Sequence, residues 1–212
     1  MKTILRLVRF RIVAGTDALA LTSATRAMLC IKGSANVESA EAPVTLAENA
    51  ARLVNGALSV RAAAGEATLL AFELASPDSA PPPGEILESR AISVPRGPGR
   101  LLRCDRVDFP PGGIAYRHTH AGPGIRYLLH GSLHVDAGEM ACAVAPGEAW
   151  FESGVEPVLA TASTTEPTAF VRVMVLPADY LGRSSIQYVR EEDREKPKLQ
   201  RYQIFLDQSF EL

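Results

Sequence analysis

The sequence predicts an all-β protein, either a sandwich or a barrel. Three observations support this prediction. Long helical periodicity is nearly absent, short apolar runs of about four to eight residues recur between clusters of Gly, Pro, Asn, Asp and Ser, and the strand pattern repeats once along the chain. The apolar runs that predict strands are AMLCI, ALSVRA, TLLAFEL, GIRYLL, EAWF and AFVRVMVL.

The N-terminal run, MKTILRLVRFRIVAG, is predicted to be the first β-strand. Arg6, Arg9 and Arg11 interrupt its apolar residues before they reach the length of an export signal. No other stretch approaches the roughly 18 uncharged apolar residues that a membrane span requires. We therefore expect no association with a membrane.

Composition narrows the class of protein further. With 212 residues, of which 47% are hydrophobic, the chain suits one large β domain or two small ones. The net charge is −2 and no basic stripe occurs, so nucleic acid is not an expected partner. Cys30, Cys104 and Cys142 form no CxxC pair, which favours buried thiols in a reducing compartment and predicts a cytoplasmic location.

The internal repeat divides the chain into two similar β units. Lys32-Gly33-Ser34 lines up with His130-Gly131-Ser132, an offset of 98 (from 32 to 130). The same offset carries residues 46–60 onto residues 144–158 without a gap, and each copy then closes with an apolar strand. A match of two hairpin turns and their strands favours a duplicated unit.

The domain boundaries follow from the breaks in the pattern. Residues 1–75 are predicted to form the first unit, and the Pro-rich stretch 76–85 is predicted to be a linker. Residues 86–180 are predicted to form a second barrel that carries the pocket. The tail, residues 181–212, begins charged and ends amphipathic, so it is expected to pack as an arm over the barrel or across a homodimer interface.

A His-x-His pair in the second unit is the first candidate for a functional site. In a strand, residues two apart share a face, so Tyr116, His118 and His120 are expected on one face and Arg117 and Thr119 on the other. Two imidazoles so placed can reach one metal ion at about 2.0–2.1 Å. A structural or surface histidine pair is the alternative interpretation.

The stretch PGGIAYRHTHAGPGIRYLLHG resembles the first motif of the cupin superfamily, G-x5-H-x-H-x3-4-E-x6-G. Gly112, His118, His120 and Gly131 match that motif. Gly147 opens a frame in which the second cupin motif is recognisable only by its spacing. The resemblance implies double-stranded β-helix (jelly-roll) barrels, two in one chain as in a bicupin, with a degenerate first unit that contains no histidine.

The resemblance also implies a divalent metal such as Fe, Mn, Ni or Zn, which cupins hold with three histidines and one glutamate. Here the glutamate position is Gly124 and the third histidine position is Val158, so only His118 and His120 match. The candidates for further ligands are His130, Glu152 and Glu156, each of which could instead be a rim residue. A second possible role for His130 is pairing with His134 across a hairpin.

Arg126 is a cation placed where a metal site would need an anion. Counting in steps of two from position 124 puts Arg126 on the interior face, where a guanidinium requires an anionic partner. That partner is either Glu152 or Glu156, or else a bound ligand gripped bidentately. Together with the Tyr116 hydroxyl, Arg126 would then form a substrate-binding pocket for a small organic acid.

Two hypotheses for the function remain open at this stage. In the first, the protein is a metal-dependent enzyme of oxygenase, isomerase or lyase type, with His118 and His120 on the metal and Arg126 and Tyr116 orienting an anionic substrate. In the second, it is a non-catalytic protein that binds or senses a small molecule and has a degenerate metal site. Catalytic residues are not assigned in either case. Cys104 and Cys142 could line the second barrel or serve simply as small buried residues.

Overall fold

The structure is a computed structural model, and it describes residues 2–94, 99–138 and 140–210. The chain divides into two compact units, with the boundary between Ile92 and Ser93. Within the described residues, helices are few and short, and none is long and apolar enough to cross a membrane.

The first unit is built from strands alone. They are β1 (Lys2–Val13), β2 (Leu19–Lys32), β3 (Ser34–Ser39), β4 (Val44–Ala47), β5 (Ala51–Ala62), β6 (Glu66–Ala75) and β7 (Glu85–Ser93). Their order in the sheet is β4-β3-β5-β2-β6-β1-β7. Because non-consecutive strands lie side by side, this is a rolled, jelly-roll type of topology rather than a simple meander.

Alternating side chains of these strands form the core of the first unit. Val8 opposes Ala71 and Phe10 opposes Leu69 across the β1–β6 pair, and all four are buried in one apolar cluster. Near the end of the same strands, Glu73 is held between two buried arginines, with Arg26 Nε at 2.7 Å and Arg6 Nη1 at 3.2 Å. The first unit therefore combines an apolar interior with one buried ion cluster.

In its described residues, the second unit has two sheets and two short helical segments. Its elements are β8 (Arg100–Phe109), β9 (Ile114–His120), β10 (Gly124–His130), β11 (Leu133–Ala137), β12 (Met140–Val144), β13 (Ala149–Glu152), β14 (Val158–Ala162), β15 (Thr168–Pro177), a 3-10 turn (Ala178–Tyr180), β16 (Ile186–Tyr188), α1 (Glu192–Glu195) and β17 (Arg201–Phe210). The sheet orders are β13-β10-β15-β8-β17 and β12-β11-β14-β9-β16.

The two units share one strand plan, as the sequence repeat predicted. If β9 and β10 are taken as the counterpart of β2, and β14 and β13 as that of β5, the two sheets of the second unit follow the strand order of the first. The glycines aligned by the repeat also have similar backbone conformations, with positive φ. Gly33 and Gly131 have φ of 72° and 77°, and Gly56 and Gly154 have φ of 101° and 86°. The predicted all-β fold with two barrel units is thus confirmed.

The boundary between the units lies later than the predicted linker at 76–85. The strand β7 follows the Pro-rich stretch and is the sheet neighbour of β1, so the first unit continues to Ile92. The predicted arm is also part of the second unit, because β16 pairs with β9 and β17 pairs with β8 along its whole length. The strands β7, β16 and β17 lie at sheet edges and are largely exposed. Their sequences therefore lack the alternation of apolar and polar residues that predicts a half-buried strand.

Candidate functional site

Six buried polar side chains meet inside the barrel of the second unit, and we call them the inner cluster. Each comes from one of the strands β8, β9, β10, β13 or β15, and each is at most 7% exposed; the members are Asp105, His118, His120, Arg126, Glu152 and Arg172. The cavity beside them has a volume of about 20 Å³, which is enough for one water molecule. Apolar and aromatic side chains of the barrel core close the rest of the interior.

The two histidines point at each other. Their Nε2 atoms are 3.2 Å apart and the rings are nearly perpendicular, at 86°. His118 Nδ1 donates to the Tyr116 carbonyl at 2.7 Å, which leaves its Nε2 with a lone pair directed toward His120. His120 Nδ1 lies 3.2 Å from the Ser185 hydroxyl. The histidine pair was predicted to share an interior face, and both rings are in fact buried there.

Arg126 is paired with Glu152, one of the two acidic partners that the sequence suggested. Its Nη2 lies 2.6 Å from Glu152 Oε2, and its Nη1 donates to the Gly124 carbonyl at 2.7 Å. The other carboxylate oxygen of Glu152 accepts a hydrogen bond from Trp150 Nε1 at 2.9 Å. Arg126 is completely buried, so this ion pair is shielded from water.

A second arginine, Arg172, completes the inner cluster and was not identified from the sequence. It opposes Arg126 on one side and Asp105 on the other in the strand register. Asp105 accepts two hydrogen bonds from it, at 2.7 and 3.1 Å, while its Nη1 lies 3.4 Å from His120 Nε2. The only signal in the sequence is an arginine in the middle of an apolar run, AFVRVMVL.

These neighbours keep both histidines neutral. Burial lowers the pKa of His118 below its ordinary value of 6.5, against the opposing attraction of Glu152. Burial, followed by the charges of Arg172 and Arg126, holds the pKa of His120 well below 6.5. Burial also lowers the pKa of Arg126 to about 10, although Glu152 favours its charged form. At neutral pH the inner cluster therefore contains two guanidinium cations and two carboxylates, which balance.

Tyr116 does not line the cavity, which corrects its predicted place beside the histidines. A β-bulge interrupts β9, since Ala115 opposes Ala160 while His118 opposes Val158, so that three residue steps face two. The bulge breaks the alternation on which the prediction depended. The Tyr116 ring instead lies 4.9 Å from Lys196 Nζ.

His130, predicted as a possible third metal ligand, does not lie beside His118 and His120. It is exposed at the end of β10, where its Nδ1 lies 3.2 Å from the Pro167 carbonyl and its Nε2 lies 3.4 Å from Arg106 Nη2. His134 and Glu156 are also exposed, outside the inner cluster.

The cysteines are free thiols. Cys104 is fully buried, and burial raises its pKa far above the ordinary value. Cys142 packs at the edge of the barrel core. Neither cysteine lines the cavity.

The residues present do not fit the metal ion that the cupin resemblance implies. Over residues 2–94, 99–138 and 140–210, no group of three or more His, Cys, Asp or Glu side chains is arranged to hold a metal ion. Two guanidinium groups occupy the space around His120 Nε2, with Arg172 Nη1 at 3.4 Å and Arg126 bound to the nearest carboxylate. A divalent cation would add two charges to a buried cluster whose charges already balance.

A larger pocket opens next to the inner cluster, and we call it the outer pocket. Its volume is about 310 Å³, which falls in the range of small-molecule sites. It shares Arg172 and Tyr202 with the small cavity. Its lining includes four basic and two aromatic side chains, namely Arg103, Arg172, Arg183, Lys198, Tyr188 and Tyr202.

Most of the outer pocket belongs to the segment predicted to be an arm. Lys198 Nζ is held by the Asp193 carbonyl at 2.6 Å and lies 4.7 Å from the centre of the Tyr188 ring. Arg103 Nη1 and Nη2 donate to the carbonyls of Arg183 and Tyr180, each at 2.7 Å. No pattern in the sequence predicts this pocket, because its residues come together only when residues 181–212 fold onto the barrel.

Comparison with known proteins supports the fold. Neither a protein-family model nor a curated protein matches the sequence. Among solved structures, the 11S allergen from Cocos nucifera L. aligns with a TM-score of 0.65 and 11% identity, covering 90% of this chain and 84% of that one. AerE from Microcystis aeruginosa aligns with a TM-score of 0.59 and 9% identity, covering 84% and 89%. YhaK from Escherichia coli aligns with a TM-score of 0.54 and 15% identity, covering 82% and 86%.

Likeness at these identities shows the fold alone. The predicted all-β fold, with strands in jelly-roll order, is therefore supported by these solved structures.

Proposed function

We propose that this protein binds a small anionic metabolite in the outer pocket of its second barrel, without a catalytic metal. The observation that carries the proposal is the charge of the pocket lining. Among the described residues that line the outer pocket, four are basic and one, Asp105, is acidic. A concave site with an excess of cations concentrates and orients anions.

The individual side chains suit a carboxylate or phosphate ligand. Arg172 and Arg103 are held in place by Asp105 and Asp207, so the excess positive charge of the pocket comes from Arg183 and Lys198. Arg183 is exposed at the mouth and makes no ion pair with any described residue, so it can grip the ligand bidentately. The two tyrosines would then pack against the apolar part of the ligand.

The non-catalytic hypothesis is favoured over the metal-dependent enzyme by the residues of the inner cluster. Arg126 and Glu152 form a closed ion pair beside the two histidines, and the remaining cavity admits no more than a water molecule. The protein would therefore act through ligand binding, as a sensor or carrier.

Two further points belong to this proposal. The first unit would be a degenerate, structural cupin unit, because it has the same strand order as the second but all four histidines of the chain lie in the second. A cytoplasmic location is supported by the three free thiols. A homodimer stays a prediction, which light scattering of the purified protein would test.

The test is to titrate the protein with a panel of mono- and dicarboxylates and inorganic phosphate by calorimetry, at low and at high salt. The Arg183→Ala variant should lose about tenfold in affinity for the best anion, since a lost charge-assisted hydrogen bond costs about 1.4 kcal/mol or more. Arg190→Ala is the matched control, because Arg190 is an exposed arginine of the same segment that does not line the pocket. Equal affinity in both variants, or no binding of any anion, would refute the proposal.

A further inference from the structure

We propose that the guanidinium group of Arg126 takes the place of a metal ion in the inner cluster. Removing it would uncover a latent three-ligand site, formed by His118, His120 and Glu152, for a borderline divalent cation such as Zn²⁺ or Co²⁺. This inference concerns the interior of the barrel and does not depend on which anion the outer pocket binds.

The distance between the two histidine nitrogens is that of two ligands of one metal ion. Two nitrogens bound to one zinc ion at about 2.0–2.1 Å, at the tetrahedral angle, are about 3.3 Å apart. The Nε2 atoms of His118 and His120 are 3.2 Å apart. His118 is already oriented by its Nδ1 bond to the Tyr116 carbonyl, as metal-binding histidines commonly are. The separation of the two nitrogens therefore matches that of two ligands of one ion.

Glu152 supplies the third ligand. Its Oε2 lies 3.8 Å from His120 Nε2, and its Oε1 is anchored by Trp150. Oε2 is 2.6 Å from Arg126 Nη2, yet the two atoms are not aligned as a hydrogen bond, so neither has a directed partner among the described residues. The interaction between Glu152 Oε2 and Arg126 is therefore electrostatic and not a directed hydrogen bond. A metal ion in place of the guanidinium could make the same kind of interaction.

Charge explains why the native cluster excludes the ion. The four charged side chains of the inner cluster are paired, Arg126 with Glu152 and Arg172 with Asp105. A divalent ion would enter a buried site in which the nearest carboxylate is already neutralised, and would stand beside two guanidinium groups. Without Arg126 the cluster has a net charge of −1, and the vacated volume can take the water that completes a tetrahedral site.

The experiment is a Co²⁺ titration of the chelator-treated, full-length protein, followed by visible absorption, with Zn²⁺ competition and metal content by mass spectrometry. The Arg126→Met variant should bind one ion per chain with a tetrahedral Co²⁺ spectrum, and about 100-fold more tightly than the wild type, an effect of the size produced by groups that contact metal ligands. Adding His120→Ala to Arg126→Met should abolish the spectrum. The inference is overturned if folded Arg126→Met binds no more tightly than the wild type, or if the wild type already gives that spectrum.

A matched control separates the loss of an arginine from the opening of this site. Arg103 is also buried and ion-paired in the same barrel, so Arg103→Met removes an equivalent group without uncovering the histidines and should bind no Co²⁺. If Arg126→Met is unfolded without metal, Zn²⁺ should restore its Trp150 fluorescence and raise its melting temperature, as a ligand of the native state must. Arg126→Gln keeps a hydrogen-bond donor, and Zn²⁺ should likewise restore its Trp150 fluorescence and raise its melting temperature if it is unfolded without metal. If Zn²⁺ rescues neither variant, the inference is wrong.

Discussion

Replacing Glu152 by Gln should strongly destabilise the second unit. The substitution keeps the size of the side chain and an oxygen that can accept from Trp150 Nε1, but it removes the negative charge 2.6 Å from Arg126 Nη2. Arg126 is fully buried, so it gains no solvation in exchange. Breaking a buried ion pair on one side costs about 3–5 kcal/mol. With a urea m-value of about 2 kcal/mol/M, the unfolding midpoint should fall by about 1.5–2.5 M.

The assay is urea unfolding followed by tryptophan fluorescence. Trp150 is the single tryptophan of the chain and donates directly to Glu152, so its emission reports on this barrel. Glu156→Gln is the control, because it makes the same chemical change at an exposed position and should cost less than about 0.5 kcal/mol. The double variant Arg126→Met, Glu152→Gln should be more stable than Glu152→Gln alone. A midpoint for Glu152→Gln within about 0.5 M of the wild type would refute the reasoning.

Two further predictions concern the pH dependence of stability and two glycines of the first unit, Gly33 in a hairpin turn and Gly56 inside β5. His118 and His120 have pKa values below 6.5 when folded and near 6.5 when unfolded, so the unfolded chain binds more protons as the pH falls below 6.5. Stability should be complete above pH 6.5 and decrease below it by up to about 1.4 kcal/mol per histidine per pH unit. The double His→Gln variant should lose this acid sensitivity in urea midpoints measured at pH 7.5 and 5.5, and an unchanged slope would contradict the assignment. Gly33→Ala should cost more than Gly56→Ala in thermal melts: both glycines have positive φ, but an added Cβ at Gly33 would also strike the Glu66 carbonyl, whereas Gly56 has open space. Equal decreases in melting temperature for the two variants would contradict this prediction, because they would show that the backbone moves to relieve the contact with the Glu66 carbonyl.

The sequence was sufficient for the fold because its signals are local and repeated. Gly33 and Gly131 mark hairpin turns where strands end, and the repeat aligned them with each other, as it aligned Gly56 inside β5 with Gly154; all four adopt positive φ. The His-x-His spacing also sufficed to place both histidines inside. These predictions depend on the alternation of residues within one strand or on the residue type at one turn, and both can be seen directly in the sequence.

The remaining site residues depend on register and on long-range packing. Tyr116 was misplaced because one extra residue in β9 reverses the alternation, and no residue type marks that bulge. Arg172 was missed because its role appears only when β15 is aligned with β8 and β10. Tyr202 reaches the outer pocket through the pairing of β17 with β8, and Lys198, which precedes β17, is held there by the Asp193 carbonyl. Such contacts join positions far apart in the chain, and a single sequence gives no measure of them.

A crystal structure of the purified wild-type protein, with anomalous data collected above the Fe, Mn, Ni and Zn edges, is the most direct check on the nature of the cation in this barrel. We expect the guanidinium of Arg126 against Glu152 and no anomalous peak between the two imidazoles. A peak within bonding distance of both Nε2 atoms, with Arg126 turned away, would contradict the account.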